Sequence, residues 1–358
     1  MAEQTTFFRG TRFLVIAASL VIIIAGINYA QSVLVSLLVA IFLAMLGTPP
    51  VLWLVRRRIP SVVAVLFVVA GMVAILLIAG AIVGASISSF SEELPVYQTR
   101  LEERIHAFQS FLAARGIWGM DTVLIESVNP KAVMSLTARL LAEVGSALSN
   151  IVLILLTVAF ILFEASSFPV KLRAVLGHPR QAFPQFTKFV GDMERYMVIK
   201  TIISLATGIL VAIWLSILGV DSPILWGFLA FLLNYVPSVG STVAAIPAVL
   251  LALIQLGAAR AALAAAGYMA VNFLLDNVIE TRLMGRRLAL STLVVFLSLV
   301  LWGSLLGPVG MILCIPLTMT LKFACENNED TRWIAVLLGP KEPVERIPKS
   351  KAKRSSQN

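Results

Sequence analysis

The sequence predicts an all-α polytopic membrane protein with about eight membrane segments, and three observations carry the prediction. Hydrophobic residues fill 59% of the 358 positions and charged ones 13%, with a mean hydropathy of +0.94, so polar side chains are too few to cover a soluble core of this size. Apolar runs of bilayer-spanning length recur along the chain. Two of the later runs are interrupted by proline and glycine at corresponding places, the pattern by which inverted repeats mark a midplane binding site.

The same composition excludes several function classes. A formal net charge of +9 does not point to nucleic acid, because many basic residues abut apolar spans, where topology accounts for them. Cys314 and Cys325 are the only cysteines and imply no disulfide framework. His106 and His178, the only histidines, lie outside the apolar runs, and neither a zinc-protease helix nor a phosphate-binding glycine-rich loop occurs. No catalytic residue, metal site or cofactor is predicted, and the chain does not read as an enzyme.

Taken in order, Phe13 to Tyr29 and Val33 to Leu54 form a helical hairpin of two spans, with Arg9 and Arg12 ahead of the first. Thr48-Pro49-Pro50 ends or kinks the second span, and Arg56-Arg57-Arg58 holds that end in the cytoplasm. Val62 to Ile87 is a third span, with Gly80 and Gly84 spaced for close helix packing. Phe90, Leu94, Tyr97, Leu101, Ile105, Phe108 and Leu112 then keep helical spacing in a polar stretch, so an amphipathic helix follows, with Pro95 in its first turn. Acids outnumber bases from 90 to 144, which suits the outer face.

The fourth span covers about Leu148 to Phe163. From Ala165 to Lys200 bases dominate and Phe186, Phe189, Met193 and Met197 again keep helical spacing, so a cytoplasmic interfacial helix feeds the fifth span, Thr201 to Val220. These apolar stripes read as packing or lipid contacts rather than ligand sites. Glu164 and Lys200 read as anchors at the membrane edge.

From Asp221 an apolar helix runs to an interruption at Asn234 to Ser241, containing Pro237 and Gly240, and resumes to Leu256. Ala261 to Val278 is the sixth span. Leu290 to Leu306 is broken by Gly307-Pro308-Val309-Gly310 before the chain resumes to Leu321. Counting crossings, the two interrupted segments enter from opposite sides, which gives an inverted repeat of helix plus re-entrant hairpin whose tips approach each other near the midplane. Two ordinary kinked helical pairs are the alternative. Arg260 alone sits against the positive-inside rule. These readings divide the chain into a three-span unit (1–88), an external amphipathic segment (89–147), a fourth span with its interfacial helix (148–200), a transport core (201–324) and a basic cytoplasmic tail (325–358).

Asn272, Asp276 and Glu280, four residues apart, share one face of the sixth span and are its most specific polar feature. An acid within apolar sequence is costly in lipid and faces a bundle interior, where it serves ion or proton coupling. For Glu280 the alternative is an ion pair with Arg282 or Arg286. Amide and hydroxyl partners for a small polar solute are Asn234, Tyr235, Ser238, Ser241 and Asn272, with Pro237, Gly240, Gly307, Pro308 and Gly310 shaping the two turns. Asp276, Glu280 and Arg282 are the candidate coupling residues.

The stretches Leu233-Asn-Tyr-Val-Pro-Ser-Val-Gly-Ser241, Met284-Gly-Arg-Arg-Leu-Ala-Leu-Ser-Thr-Leu293 and Leu306-Gly-Pro-Val-Gly-Met311 resemble signatures of the autoinducer-2 exporter family of bacterial membrane proteins. The resemblance covers nearly the whole chain and is densest from Tyr196 onward. It implies a multi-pass inner-membrane transporter with a cytoplasmic N-terminus, acting on the quorum-sensing signal autoinducer-2. The basic tail places the C-terminus in the cytoplasm as well, the acids of the sixth span suit protons or sodium as coupling ions, and the apolar stripe from Phe90 to Leu112 suits packing on another copy of the chain, as a homo-oligomer, or on the membrane surface. Some relatives are assigned sodium or lithium/proton antiport, which is the runner-up reading. A non-transporting membrane scaffold is a third. The family commonly has Glu-Pro-Arg where this chain has Glu280-Thr281-Arg282, and without that proline the sixth helix is free to continue.

Overall fold

The computed structural model describes residues 15, 18, 19, 21–114, 151–165, 182–237, 239–284, 290–326 and 331–339. Every regular element among them is helical. Five helical stretches are long and apolar enough to cross a membrane: Gln31–Arg56, Ser61–Ser89, Phe186–Leu218, Ala258–Leu283 and Thr292–Ile312. Three shorter apolar helices, Ile151–Ala165, Pro223–Leu233 and Gly240–Leu256, accompany them. The protein is a multi-pass membrane protein. Of the first expected span, residues 21–29 are helical, while most of the external segment and the basic tail lie outside the described residues.

Helices α1 (Gln31–Arg56), α2 (Ser61–Ala114) and α3 (Ile151–Ala165) form one group around Ala40, Ala44, Ala64, Val65 and Val158. Pro49 and Pro50 lie inside α1, which runs through them to Arg56. The third span and the amphipathic helix, expected as separate elements, are the single helix α2 of 54 residues. At 1.5 Å per residue that is about 81 Å, well over twice a hydrocarbon core of about 30 Å. Pro95 therefore sits inside a helix rather than in a first turn. The carbonyl it leaves unbonded lies beyond the apolar part of α2, which ends at Ser89, and water can satisfy it there. Of the amphipathic stripe only the Tyr97 side chain is among those described, and it is buried.

Helices α4 (Ala182–Leu218), α5 (Pro223–Leu233), α6 (Gly240–Leu256) and α7 form the second group. Helix α7 starts at Ala258–Asn272, turns π-helical over Phe273–Glu280 and ends with Thr281–Met284. Absent the family's proline, it does continue past Glu280. The interfacial helix and the fifth span are likewise one helix, α4. The core here holds Val211, Leu215, Leu225, Trp226, Leu251 and Ile254. Backbones of α4 and α5 nearly touch, since a Cβ on Gly208 would stand 2.7 Å from the Gly227 carbonyl and one on Gly227 2.5 Å from that of Gly208. Small residues make such contact possible. Gly80 and Gly84, the expected packing pair, meet nothing within 4 Å.

The aromatic stripe of α4 is packing. Phe189 stacks on Phe323 with ring centroids 4.4 Å apart, and Met193, Tyr196 and Met197 close over Leu290, Cys314 and Ile315. Those partners belong to α9 (Cys314–Glu326) and to the residues just before α8 (Thr292–Ile312), with α10 (Arg332–Leu338) beyond.

Both interrupted segments are helical hairpins. Asp221 at the start of α5 donates its N–H to Gln255 Oε1 near the end of α6 at 3.1 Å, so the α5–α6 pair returns to where it began. In α8 the chain turns back at Gly307, φ 67° and ψ −152°, bringing Met311 against Gly303. The turns touch α1 at different heights. Tyr235 packs edge-on to Phe42 at 5.7 Å, whereas Gly307 lies beside the Gln31 side chain. Positions 31 and 42 are about 16 Å apart along a helix axis.

Candidate functional site

Helix α4 carries Lys200, Thr201, Ser204 and Thr207 at spacings of three and four, which puts Lys200, Ser204 and Thr207 on one face. All three are buried although polar, as is Asn234 in the α5–α6 turn. Antiparallel to this face, α7 presents Asn272, Asp276 and Glu280. Lys200 Nζ donates to Glu280 Oε2 at 2.8 Å, with the two side chains 7% and 16% exposed. The Asn234 amide donates to Ser204 Oγ at 3.1 Å, and Tyr235 donates its hydroxyl to Thr201 Oγ1 at 2.8 Å. The Asp276 carboxylate lies within electrostatic range of Lys200 and Glu280 and within reach of the Asn234 amide.

Three oxygens of the arrangement are left without a partner. Asn272 Oδ1 and Asp276 Oδ1 are buried and accept no hydrogen bond, and the Tyr268 hydroxyl one turn earlier is buried without a partner. Buried polar atoms are normally satisfied, so these oxygens are suited to a donor that enters from outside the fold. The turn to π-helix begins at Phe273, directly after Asn272, and such segments recur at functional positions.

The remaining candidates are spread more widely. Pro237, Gly240 and Ser241 form the α5–α6 turn with Asn234 and Tyr235, while Ser238 lies outside the described residues. A Cβ on Gly240 would stand 1.7 Å from the Leu233 carbonyl, so only glycine closes this hairpin. Gly307, Pro308 and Gly310 form the other turn, near Gln31 rather than beside Asp276. Arg282 is exposed. Glu280 pairs with Lys200 and not with Arg282, and Lys200 is a buried partner rather than an edge anchor. Ser204 and Thr207, which line the candidate site with Lys200, are the residues that sequence reasoning passed over. Their signal was present, since polar residues at 200, 204 and 207 within an apolar run mark one inward face.

In the second hairpin the buried polar groups satisfy one another. Trp302 Nε1 donates to Thr318 Oγ1 at 3.0 Å, and the Thr318 hydroxyl donates to Ser298 Oγ at 2.8 Å.

At the far end of α4 a different cluster ties the helix groups together. The Tyr97 hydroxyl of α2 donates to Asp221 Oδ2 at 2.9 Å and contacts Glu93, and Gln255 donates to the same Asp221 carboxylate. Burial, then the hydrogen bonds to Glu93 and Asp221, hold the Tyr97 hydroxyl well above the ordinary tyrosine range. Arg260 donates to the Leu218 carbonyl at 3.3 Å, capping the end of α4, which explains a basic residue placed against the charge rule.

Known proteins resemble the chain over almost its full length. A family model described as AI-2E family transporter matches residues 17–329. The AI-2 transport protein TqsA of Escherichia coli K12 is 37% identical over 338 residues, covering 94% of this chain and 98% of its own. The putative transport protein YhhT of the same organism is 35% identical over 95% of this chain and 97% of its own. A putative transport protein of Haemophilus influenzae is 35% identical over 90% and 94%, respectively.

Proposed function

The chain belongs to the AI-2E transporter family, and from that premise we propose that it is a secondary transporter exporting autoinducer-2 across the bacterial inner membrane. The observation that carries the reading is the polar group around the tip of a short hairpin, Lys200, Ser204 and Asn234 buried and Asp276 and Glu280 half-buried, with acceptor oxygens left over. A small hydroxylated solute can pair with the Tyr268 hydroxyl, which is buried without a partner beside Asn272, while the Asn272 and Asp276 oxygens stay open to a coupling ion.

Membrane placement follows from lengths and charges. Helix α5 has 11 residues, about 17 Å, too short for a core of about 30 Å. A re-entrant hairpin entering from the outer face accounts for that length. Ser204, which bonds the hairpin tip, stands 14 residues from Leu218 (218 − 204) on α4, about 21 Å inward. The site then lies well within the bilayer, with Glu280 and Lys200 toward the cytoplasm. Both termini are cytoplasmic by the distribution of lysine and arginine. The second hairpin enters from the opposite face as the inverted counterpart of the first, and the extension of α2 beyond Ser89 serves assembly into a homo-oligomer. Transport consists of exposing the site alternately to either side as α4–α7 shift against the other helices.

A second reading, antiport of a monovalent cation against protons, is favoured by the two acids on α7. Purified chain in proteoliposomes under a proton gradient separates the readings, with autoinducer-2 and sodium offered separately. Saturable autoinducer-2 flux supports export. Sodium movement without autoinducer-2 flux supports antiport.

A further inference from the structure

Counting the charges in the buried site limits what it can bind. Lys200 supplies one positive charge, and Glu280 and Asp276 supply two negative charges when ionised. Among the described residues, Tyr196 of α4 lies in electrostatic range of Glu280, of Tyr235 in the turn and of Cys314 in α9, and tyrosine and cysteine ordinarily carry no charge at neutral pH. Arg282, two residues beyond Glu280, is exposed. Lys200 is committed to Glu280 by the 2.8 Å contact, and Asp276 Oδ1 and Asn272 Oδ1 have no partner. Asp276 is half-buried and shares the field of Lys200 with Glu280; with two carboxylates to one ammonium among the described residues, the site is one positive charge short of neutral.

We infer that Lys200 is a tethered counter-ion for Glu280, so that the site takes up one exchangeable monovalent cation, at Asp276 and Asn272, and no second one. The inference rests on the transport reading above and adds its stoichiometry. A proton on Asp276 satisfies the count, and so does a sodium ion held by the Asp276 and Asn272 oxygens, both hard donors. Either way the loaded site is neutral and can change its exposure without carrying net charge through the membrane. Lys200 is a positioning residue, because it acts through Glu280 and not on the solute.

The count is tested by removing charges singly and together. Flux of autoinducer-2 is measured in proteoliposomes against pH at fixed sodium and against sodium at fixed pH, for the unaltered chain, K200Q, E280Q and K200Q/E280Q. Where the dependence is steepest, its logarithmic slope reports the number of cations bound. The unaltered chain should give a slope of about one for one of the two ions, and K200Q about two. E280Q frees Lys200 to pair with Asp276 and should flatten the dependence, whereas the double variant should return it to about one. A merely structural ion pair predicts that K200Q and E280Q lose protein alike while the slope of what remains is unchanged, and that outcome overturns the inference. If K200Q does not fold, E280Q and the double variant still decide, since an undiminished slope in E280Q contradicts the count. Flux independent of both ions in the unaltered chain overturns the inference but leaves transport intact, whereas no flux at all removes the transport reading itself.

Discussion

In the α5–α6 hairpin Gly240 lets the returning helix press on the Leu233 carbonyl, and in the α8–α9 hairpin Gly310 does the same against Trp302, where a Cβ would stand 2.0 Å from the oxygen. The backbone solution is shared, but the polar filling is not. Ser298, Trp302 and Thr318 close a chain of hydrogen bonds inside the second hairpin. Asn234 of the first hairpin instead reaches out to Ser204 on α4 and toward Asp276 on α7, where acceptor oxygens remain open. Glycine placement sets the turn in both, and oxygens without a partner set the first hairpin apart from the second. The second hairpin is satisfied within itself and reads as the structural member of the pair.

The largest effect expected is common to both. Gly240→Ala and Gly310→Ala each place a methyl against backbone, which cannot yield as a side chain would, and should cost about 3 kcal/mol, the upper end of ordinary overpacking. Size-exclusion profiles of the solubilised variants should show loss of the folded species for both. Tolerance of one and not the other would break the equivalence of the turns.

A smaller effect should differ in kind between the hairpins. Thr318→Val strands the Trp302 N–H and the Ser298 hydroxyl and should lower stability by about 1–3 kcal/mol in thermal unfolding, with flux per folded molecule kept. Asp276→Asn removes an acid with one unpartnered oxygen and should leave the melting temperature unchanged or raised while impairing transport. Equal destabilisation by both would mean that Asp276 is as structural as Thr318.

The smallest effect lies at the Asp221 cluster. Tyr97→Phe loses the hydrogen bond to Asp221 and should cost about 1 kcal/mol at neutral pH. Because the folded state binds the Tyr97 proton more tightly than the unfolded chain, that contribution is present below the unfolded value of about 10 and lost as pH rises above it. The stability gap between the unaltered chain and Tyr97→Phe should therefore narrow in alkali, which pH-dependent thermal melts can follow.

Much of this was legible in the sequence. Apolar run lengths located the spanning helices, because the bilayer fixes helix length, and the turns fell at Pro237–Gly240 and Gly307–Gly310. The shared face of Asn272, Asp276 and Glu280 followed from their spacing. Continuous helices α2 and α4 did not, since Pro95 and the polar residues before Thr201 look like boundaries until neighbouring helices hold the segments in line. Lys200 was misread for a related reason. A lysine where a span begins resembles an edge anchor unless the partner 80 positions away, Glu280, is known to meet it. The π-helical stretch left no mark in local composition.

The central claim is that the buried group around Asn234 and Asp276 is the transport site. Its most direct test is autoinducer-2 flux into proteoliposomes across a range of imposed pH gradients, comparing the unaltered chain with Asp276→Asn at equal amounts of folded protein. The claim predicts saturable, gradient-dependent flux for the unaltered chain and flux that no longer responds to the gradient for the variant. Identical flux and identical gradient dependence in the two proteins would contradict it.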